Sequence, residues 1–213
     1  MKKQLLIIAA SLSLMPVGNL FALQNQTFIK STETLIAKNI SHSNHNESLM
    51  EKGDKKYKSK DYKGAITDYS KILINNPNDF HALFQRALAK SYLNDHLGAI
   101  KDYTKAIEID PEYASAFYNR GLSKDKIDDA YGAISDFNKA IAIDGKYQKA
   151  YIYRGYAKSD IGDHEGAIKD LTSAIEIKPE DAYGYSARGY VKERAGDYYA
   201  AISDYSKAIK IDP

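Results

Sequence analysis

At 213 residues the chain has room for one or two domains, and 44% hydrophobic against 27% charged residues excludes wholesale disorder. The absence of cysteine excludes disulfides, thiolate metal sites and a cysteine nucleophile. Lys and Arg number 30 against 28 Asp and Glu, so the basic stripe of a nucleic-acid binder is missing and no nucleic-acid partner is expected.

The first predicted element is a signal peptide over residues 1–22. Lys2 and Lys3 precede the apolar run from Leu5 to Met15, then Pro16-Val-Gly-Asn19, and Leu20-Phe-Ala22 offers a small residue for cleavage. An apolar core of about 11 residues falls short of the roughly 20 that span a bilayer, so a membrane anchor is the weaker reading. The chain is therefore expected to be exported, periplasmic or secreted, meeting the membrane only in transit. Without its two lysines the remainder has 28 basic and 28 acidic residues.

Residues 23–45 read as a linker or a short capping helix, in which Phe28, Ile29, Leu35, Ile36 and Ile40 could form one apolar face. His42 and His45 stand three apart, a spacing that could suit a metal. Their Ser/Asn-rich setting and the lack of further ligands favour a linker instead.

From residue 46 the sequence repeats with a period of 34. Gly64-Ala-Ile66 recurs at 98–100, 132–134 and 166–168, with Ala200-Ala-Ile202 as the fifth copy. Prolines 77, 111, 179 and 213 keep the same spacing, and Gly145 fills the gap. Five units follow: 46–79, 80–113, 114–147, 148–181 and 182–213, numbered one to five below, with positions in each called slots. Each unit reads as two helices. In unit four, Ala150, Tyr151, Arg154, Gly155 and Lys158 recur at helical spacing, Gly162-Asp163 break the chain, and Ala167, Ile168, Leu171, Ala174, Ile175 and Ile177 form a second stripe. Slot 8 is Gly or Ala, slot 20 is Ala in every unit and slot 24 is Tyr69, Tyr103, Phe137, Leu171 or Tyr205. Small residues facing bulky ones let two helices approach closely, and stacked hairpins share a core that one hairpin cannot bury.

This pattern resembles the tetratricopeptide repeat, with small residues at slots 8, 20 and 27, an aromatic at 24 and Pro at 32. Slot 4, which is Leu49, Leu83, Phe117, Tyr151 and Tyr185, departs from it in having no Trp. The resemblance implies an all-α, right-handed superhelical solenoid of antiparallel helix pairs, whose first helices line a concave groove that binds a peptide or another protein.

Charged residues recur with the repeat. Slot 23 is Asp68, Asp102, Asp136, Asp170 and Asp204; slot 11 is always Lys; slot 7 is Lys52 and then Arg86, Arg120, Arg154 and Arg188. A charge present in every unit is expected to be an architectural ion-pair ladder, since an active site is needed once. Slot 16, Asp in all five units, stands where a carboxylate caps the second helix. The acidic cluster around His164 in "IGDHEGAIKD" is accordingly read as a hinge and not as a metal or acid–base centre. With no phosphate loop, zinc helix or nucleophile elbow in the sequence, no catalytic residue, metal or cofactor is expected.

Function is sought where the units differ. The resemblance turns slots 2, 5, 6, 9, 12 and 13 into the groove. The candidates there are Phe84, Leu88 and Tyr92 in unit two, Tyr118, Asn119 and Leu122 in unit three, and Lys149, Ile152, Tyr153 and Tyr156 in unit four, with Tyr183 and Tyr190 in unit five. Tyrosine supplies contact area at low entropic cost and keeps a hydroxyl for a peptide backbone. A subclass of the family clamps a terminal carboxylate with five polar residues. The matching positions here are Phe84, Leu88, Asn119, Lys149 and Tyr153, of which only Asn119 and Lys149 agree. The leading expectation is a non-enzymatic scaffold or adaptor. The alternative is self-assembly as a homo-oligomer through the last helix, where Tyr205, Ala208 and Ile209 lack a following neighbour.

Overall fold

The structure, a computed structural model, describes residues 17–213, the side chains of 17–25, 27 and 38–44 excepted. The expected signal peptide lies outside the described residues apart from the backbone of 17–22, and so do the side chains of Ile40 and His42. The described residues contain ten helices and no strand. They are α1 (Val17–Lys58), α2 (Tyr62–Asn75), α3 (Phe80–Tyr92), α4 (His96–Ile109), α5 (Ala114–Asp125), α6 (Ala130–Ile143), α7 (Gln148–Asp160), α8 (His164–Ile177), α9 (Ala182–Arg194) and α10 (Tyr198–Ile211). The described residues fall into two compact units, divided between Ser48 and Leu49.

In the first unit, residues 23–45, read from sequence as a linker or a short helix, lie within the single long helix α1. Ser31, Thr32 and Thr34 fold their hydroxyls back onto carbonyls three or four residues earlier. Phe28, Ile29, Leu35 and Ile36 are exposed. None of the described helices is long and apolar enough to cross a membrane.

The second unit is a solenoid of antiparallel helix pairs. The hinge inside each pair is built the same way five times. Slot 15 takes a left-handed backbone at Lys60, Asn94, Asp128, Gly162 and Gly196, with φ between 62° and 86°. The Asp that follows then accepts a hydrogen bond from the N–H three residues on: Asp61 from Gly64, Asp95 from Gly98, Asp129 from Gly132, Asp163 from Gly166, and Asp197 from Ala200, all at 2.9–3.1 Å. One free donor of each second helix is thereby satisfied and a negative charge is set against its dipole.

Across each pair, slot 8 meets slot 24. Gly53 faces the Tyr69 ring, Gly121 the Phe137 ring, Gly155 Leu171 and Gly189 the Tyr205 ring, each so closely that an added Cβ would lie within 3 Å of the partner. The five slot-20 alanines are buried beside them.

The charge ladder is present, and it does more than the sequence implies. Asp102, Asp136, Asp170 and Asp204 are buried, and each takes a two-pronged guanidinium from slot 7 and the ammonium from slot 11. The remaining nitrogen of the same arginine crosses to the second helix of the preceding unit. Arg86 donates to Ser70, Arg120 to Thr104, Arg154 to Asn138 and Arg188 to Thr172, at 3.1, 3.1, 2.6 and 3.1 Å. One planar fork thus ties three helices, a geometry a lysine cannot reproduce. In unit one, Lys52 is exposed and Asp68 pairs with Lys56 and Lys71 instead.

Each helix packs on the next. The first helices of successive units also approach one another, α3 to α5, α5 to α7 and α7 to α9, which the second helices do not to the same degree. The first helices therefore line the inner side of the curve.

Candidate functional site

The inner face is where the repeats stop being alike. Of the twelve groove candidates, three are core residues. Phe84 and Tyr118 are buried, and Ile152 is only 1% exposed. All three occupy slot 5, which points into the seam between successive units. Phe84 packs against Tyr103 and Tyr113, with ring centres 5.7 and 5.2 Å away, and shares a core with Ala116 of unit three; Tyr118 meets Tyr147 at 5.1 Å and Tyr153 of unit four at 5.8 Å, and Ile152 shares a core with Ala187 of unit five. The reason is spacing on a helix. Slot 5 lies one turn before slots 8 and 9, on the side that meets the next hairpin, so an apolar residue there is claimed by packing.

The other nine form two groups and one isolated residue. Tyr153, Tyr156, Tyr183 and Tyr190 gather over units four and five. Tyr153 and Tyr156 meet edge to face at 6.0 Å, and Tyr156 and Tyr190 at 6.1 Å. Tyr183 and Tyr190 remain 47% and 44% exposed, which leaves ring surface for a partner. Burial, followed by the neighbouring Tyr183 hydroxyl, pushes the Tyr156 phenol up; burial and the Tyr183 charge raise Tyr153. These phenols are neutral donors and acceptors at physiological pH. Arg194 stands over the Tyr190 ring at 5.8 Å and bonds Asp160 across the unit boundary.

The second group is Leu88, Tyr92, Asn119 and Leu122, between units two and three. These residues line an open pocket of about 220 Å³. The Asn119 amide donates to the Ser115 carbonyl at 2.7 Å, which fixes its orientation. Tyr92 stacks on Tyr62 with ring centres 4.8 Å apart. The sequence reading missed the rest of this wall: His96 and Tyr103 from α4, Ser91 from α3, and Ser123 and Lys126 from unit three. The sequence assigns second-helix residues to packing, so these side chains do not stand out there. Lys149 is exposed and joins neither group.

The hinge at 161–170 also resolves residue by residue. Gly162 is left-handed, Asp163 caps Gly166, His164 Nδ1 bonds the Ser159 hydroxyl at 3.2 Å, Glu165 is exposed and Asp170 is on the ladder. At the other end of the stack, Ala208 is buried within its own pair, not exposed as an edge, and the Tyr205 hydroxyl is taken by Glu193 at 2.8 Å. Ile209 is 65% exposed and Ile202 62%, although the same two slots are at least half-buried in every earlier unit.

Comparison with known proteins agrees with this architecture. A TPR repeat family profile matches residues 92–125, and a tetratricopeptide repeat profile matches 146–181 and 182–213. No curated protein matches the sequence. Among solved structures the chain is similar to two described as MamA. One is 29% identical with a TM-score of 0.73, over 80% of this chain and 93% of that one; the other is 30% identical with a TM-score of 0.71, over 75% and 94%. It shares its fold with YrrB, described as a TPR protein with an unusual peptide-binding site, at 18% identity and a TM-score of 0.66 over 78% and 85% of the two chains. The 34-residue period, the slot-8 to slot-24 packing and these matches together assign the chain to the tetratricopeptide-repeat family.

Proposed function

We propose that all five units are tetratricopeptide repeats and that the chain is a non-enzymatic scaffold whose inner face binds a protein segment. Proteins of this family are in general protein-interaction scaffolds, and one structural neighbour is itself described as having a peptide-binding site. The observation that carries the reading is the half-exposed tyrosine cluster Tyr153, Tyr156, Tyr183 and Tyr190 on the first helices. Aromatic rings that are rigidly backed and open on one side are what interface anchors look like. Charge recurs in the repeat as architecture, and no such constraint explains tyrosines at slots that vary from unit to unit. The proposal includes export, which rests on the basic start, apolar run and small-residue exit of residues 1–22. Capture of partners on the full chain, repeated with Tyr183→Ala and Tyr190→Ala together, tests the groove. Loss of the specific partners supports it, and their recovery from both proteins contradicts it.

A second reading is self-association through α10. Ile202 and Ile209 expose apolar surface that the corresponding residues of earlier units cover with the next hairpin. Mass in solution decides: Ile202→Lys with Ile209→Lys should leave a smaller species, whereas a wild-type chain that stays monomeric at high concentration removes this reading.

A further inference from the structure

The pocket between units two and three contains two buried polar atoms that make no hydrogen bond of good geometry within the chain: the Tyr103 hydroxyl, which has the Ser91 hydroxyl beside it, and His96 Nδ1. Tyr103 itself is 0% exposed. Buried polar groups almost always find partners, so two orphans on one pocket wall call for an explanation.

The other repeats show what each atom normally bonds. Slot 24 is a tyrosine three times. In unit one the Tyr69 hydroxyl donates to Asp54, at slot 9, at 2.7 Å; in unit five the Tyr205 hydroxyl donates to Glu193, at slot 12, at 2.8 Å. In both units the chain supplies a carboxylate. In unit two slots 9 and 12 are Leu88 and Ser91, and among the described residues no acidic side chain lines the pocket. Slot 17 repeats the pattern. In unit four the His164 Nδ1 is held by Ser159 of slot 12, whereas the equivalent Ser91 turns to Ser123 at 3.1 Å and leaves His96 alone. Burial pushes the Tyr103 phenol up against the opposing effect of the neighbouring Ser91 hydroxyl, so it is a protonated donor. Lys126, largely exposed and 3.8 Å from the Asp125 carboxylate, is the one cation of the wall.

We propose that this pocket is a subsite for a carboxylate carried by the bound segment, which takes the place that Asp54 and Glu193 fill in the other units. The Tyr103 hydroxyl donates to it, His96 adds a second hydrogen bond, Lys126 balances its charge, and Leu88 and Leu122 flank its apolar stem. The donors lie at slots 24 and 17 and at Lys126 and not at the positions of the terminal-carboxylate clamp, of which Leu88 and Asn119 line this pocket and only Asn119 matches the clamp's residue type. The proposal rests on the groove reading only for the identity of the ligand as a protein segment. An acidic side chain and a free chain terminus present the same group, and the test separates them.

Three single-residue probes are titrated into the full chain while the Leu88 and Leu122 methyl resonances are followed: N-acetylglutamate N-methylamide, its glutamine counterpart, and N-acetylalanine with a free carboxylate. Saturable shifts from the blocked glutamate assign an acidic side chain, and shifts from N-acetylalanine alone assign a chain terminus. The glutamine probe should bind at least tenfold more weakly, by about the difference between a charged and a neutral acceptor. Tyr103→Phe should weaken the carboxylate probe about tenfold or more without harming the fold, because Phe137 already fills this slot in unit three. Leu88→Asp, which copies unit one, should abolish binding by satisfying Tyr103 internally. Equal binding of the glutamine probe, an unaffected Tyr103→Phe variant, or no shift with any carboxylate overturns the proposal. The small probes do not need the groove, so their failure strikes the pocket alone, while loss of extended-segment binding with intact probe binding strikes the groove.

Discussion

At the scale of single residues, the hinge shows how one backbone demand is met by different side chains. Slot 15 is left-handed in all five units, yet only Gly162 and Gly196 adopt that conformation freely. Lys60, Asn94 and Asp128 adopt it against the steric preference of an L-residue, which costs roughly 1–2 kcal/mol and is eased for Asn and Asp by local hydrogen bonding of the short side chain. Asp128→Gly is accordingly expected to raise stability by up to about 1 kcal/mol, and Gly162→Ala to lower it by about the same, although the added methyl would touch nothing within 4 Å. Urea midpoints of the two variants check the pair. The buried aspartates make a second residue-scale case. Burial alone would raise the Asp204 carboxyl, but the Arg188 and Lys192 hydrogen bonds outweigh it and hold it below the usual carboxylate range; Lys56 and Lys71 do the same for Asp68. A carboxyl lowered in the folded state contributes stability that is complete above its unfolded value near 3.9 and is lost as pH falls through the folded value. Thermal midpoints should therefore be flat on this account above about pH 5 and drop below about pH 4. Asp170→Asn at neutral pH leaves Arg154 and Lys158 half-buried without a counter-charge, and should cost about 3 kcal/mol. An unchanged melting temperature would remove the ladder's structural role.

At the scale of helices and hairpins, the close pairing of slot 8 with slot 24 sets how near the two helices lie. Ala87 shows that a methyl is accommodated once, beside Tyr103. A branched residue is not: Gly121→Val should force the Phe137 ring out of its seat and destabilise by about 1–3 kcal/mol, measured by chemical denaturation. Most of this level was legible in the sequence. The 34-residue period located the helices, the capping aspartates and the small-against-large slots, because each depends on contacts within one unit. Two features were not legible. The third arm of each slot-7 arginine ends on Ser70, Thr104, Asn138 or Thr172, residues with no shared charge or motif, so only the stacked geometry identifies them. The long helix α1 runs through residues whose Ser- and Asn-rich composition favours a linker reading, and it carries no period to mark it.

At the scale of the whole molecule, the units agree in their capping aspartates and packing and depart from one another on the inner face. The sequence reading expects a groove on the first helices, where Tyr183 and Tyr190 are exposed, but it takes slot 5 for groove where inter-unit packing claims Phe84, Tyr118 and Ile152. It also passes over Tyr103 and His96, whose polar atoms stand out only when their equivalents in other units are seen to be satisfied. A solenoid that repeats its ion pairs and varies its inner surface keeps stability and recognition on separate residues. Changing the exposed tyrosines should thus leave the fold intact. The most direct measurement is an anisotropy titration of a captured partner segment against the wild-type chain and the Tyr183→Ala/Tyr190→Ala variant, with melting temperatures recorded for both. The expected result is a loss of affinity of about tenfold or more, as befits two aromatic anchors, at an unchanged melting temperature. Equal affinity of the two folded proteins would contradict the claim that the inner tyrosine face is where this chain binds its partner.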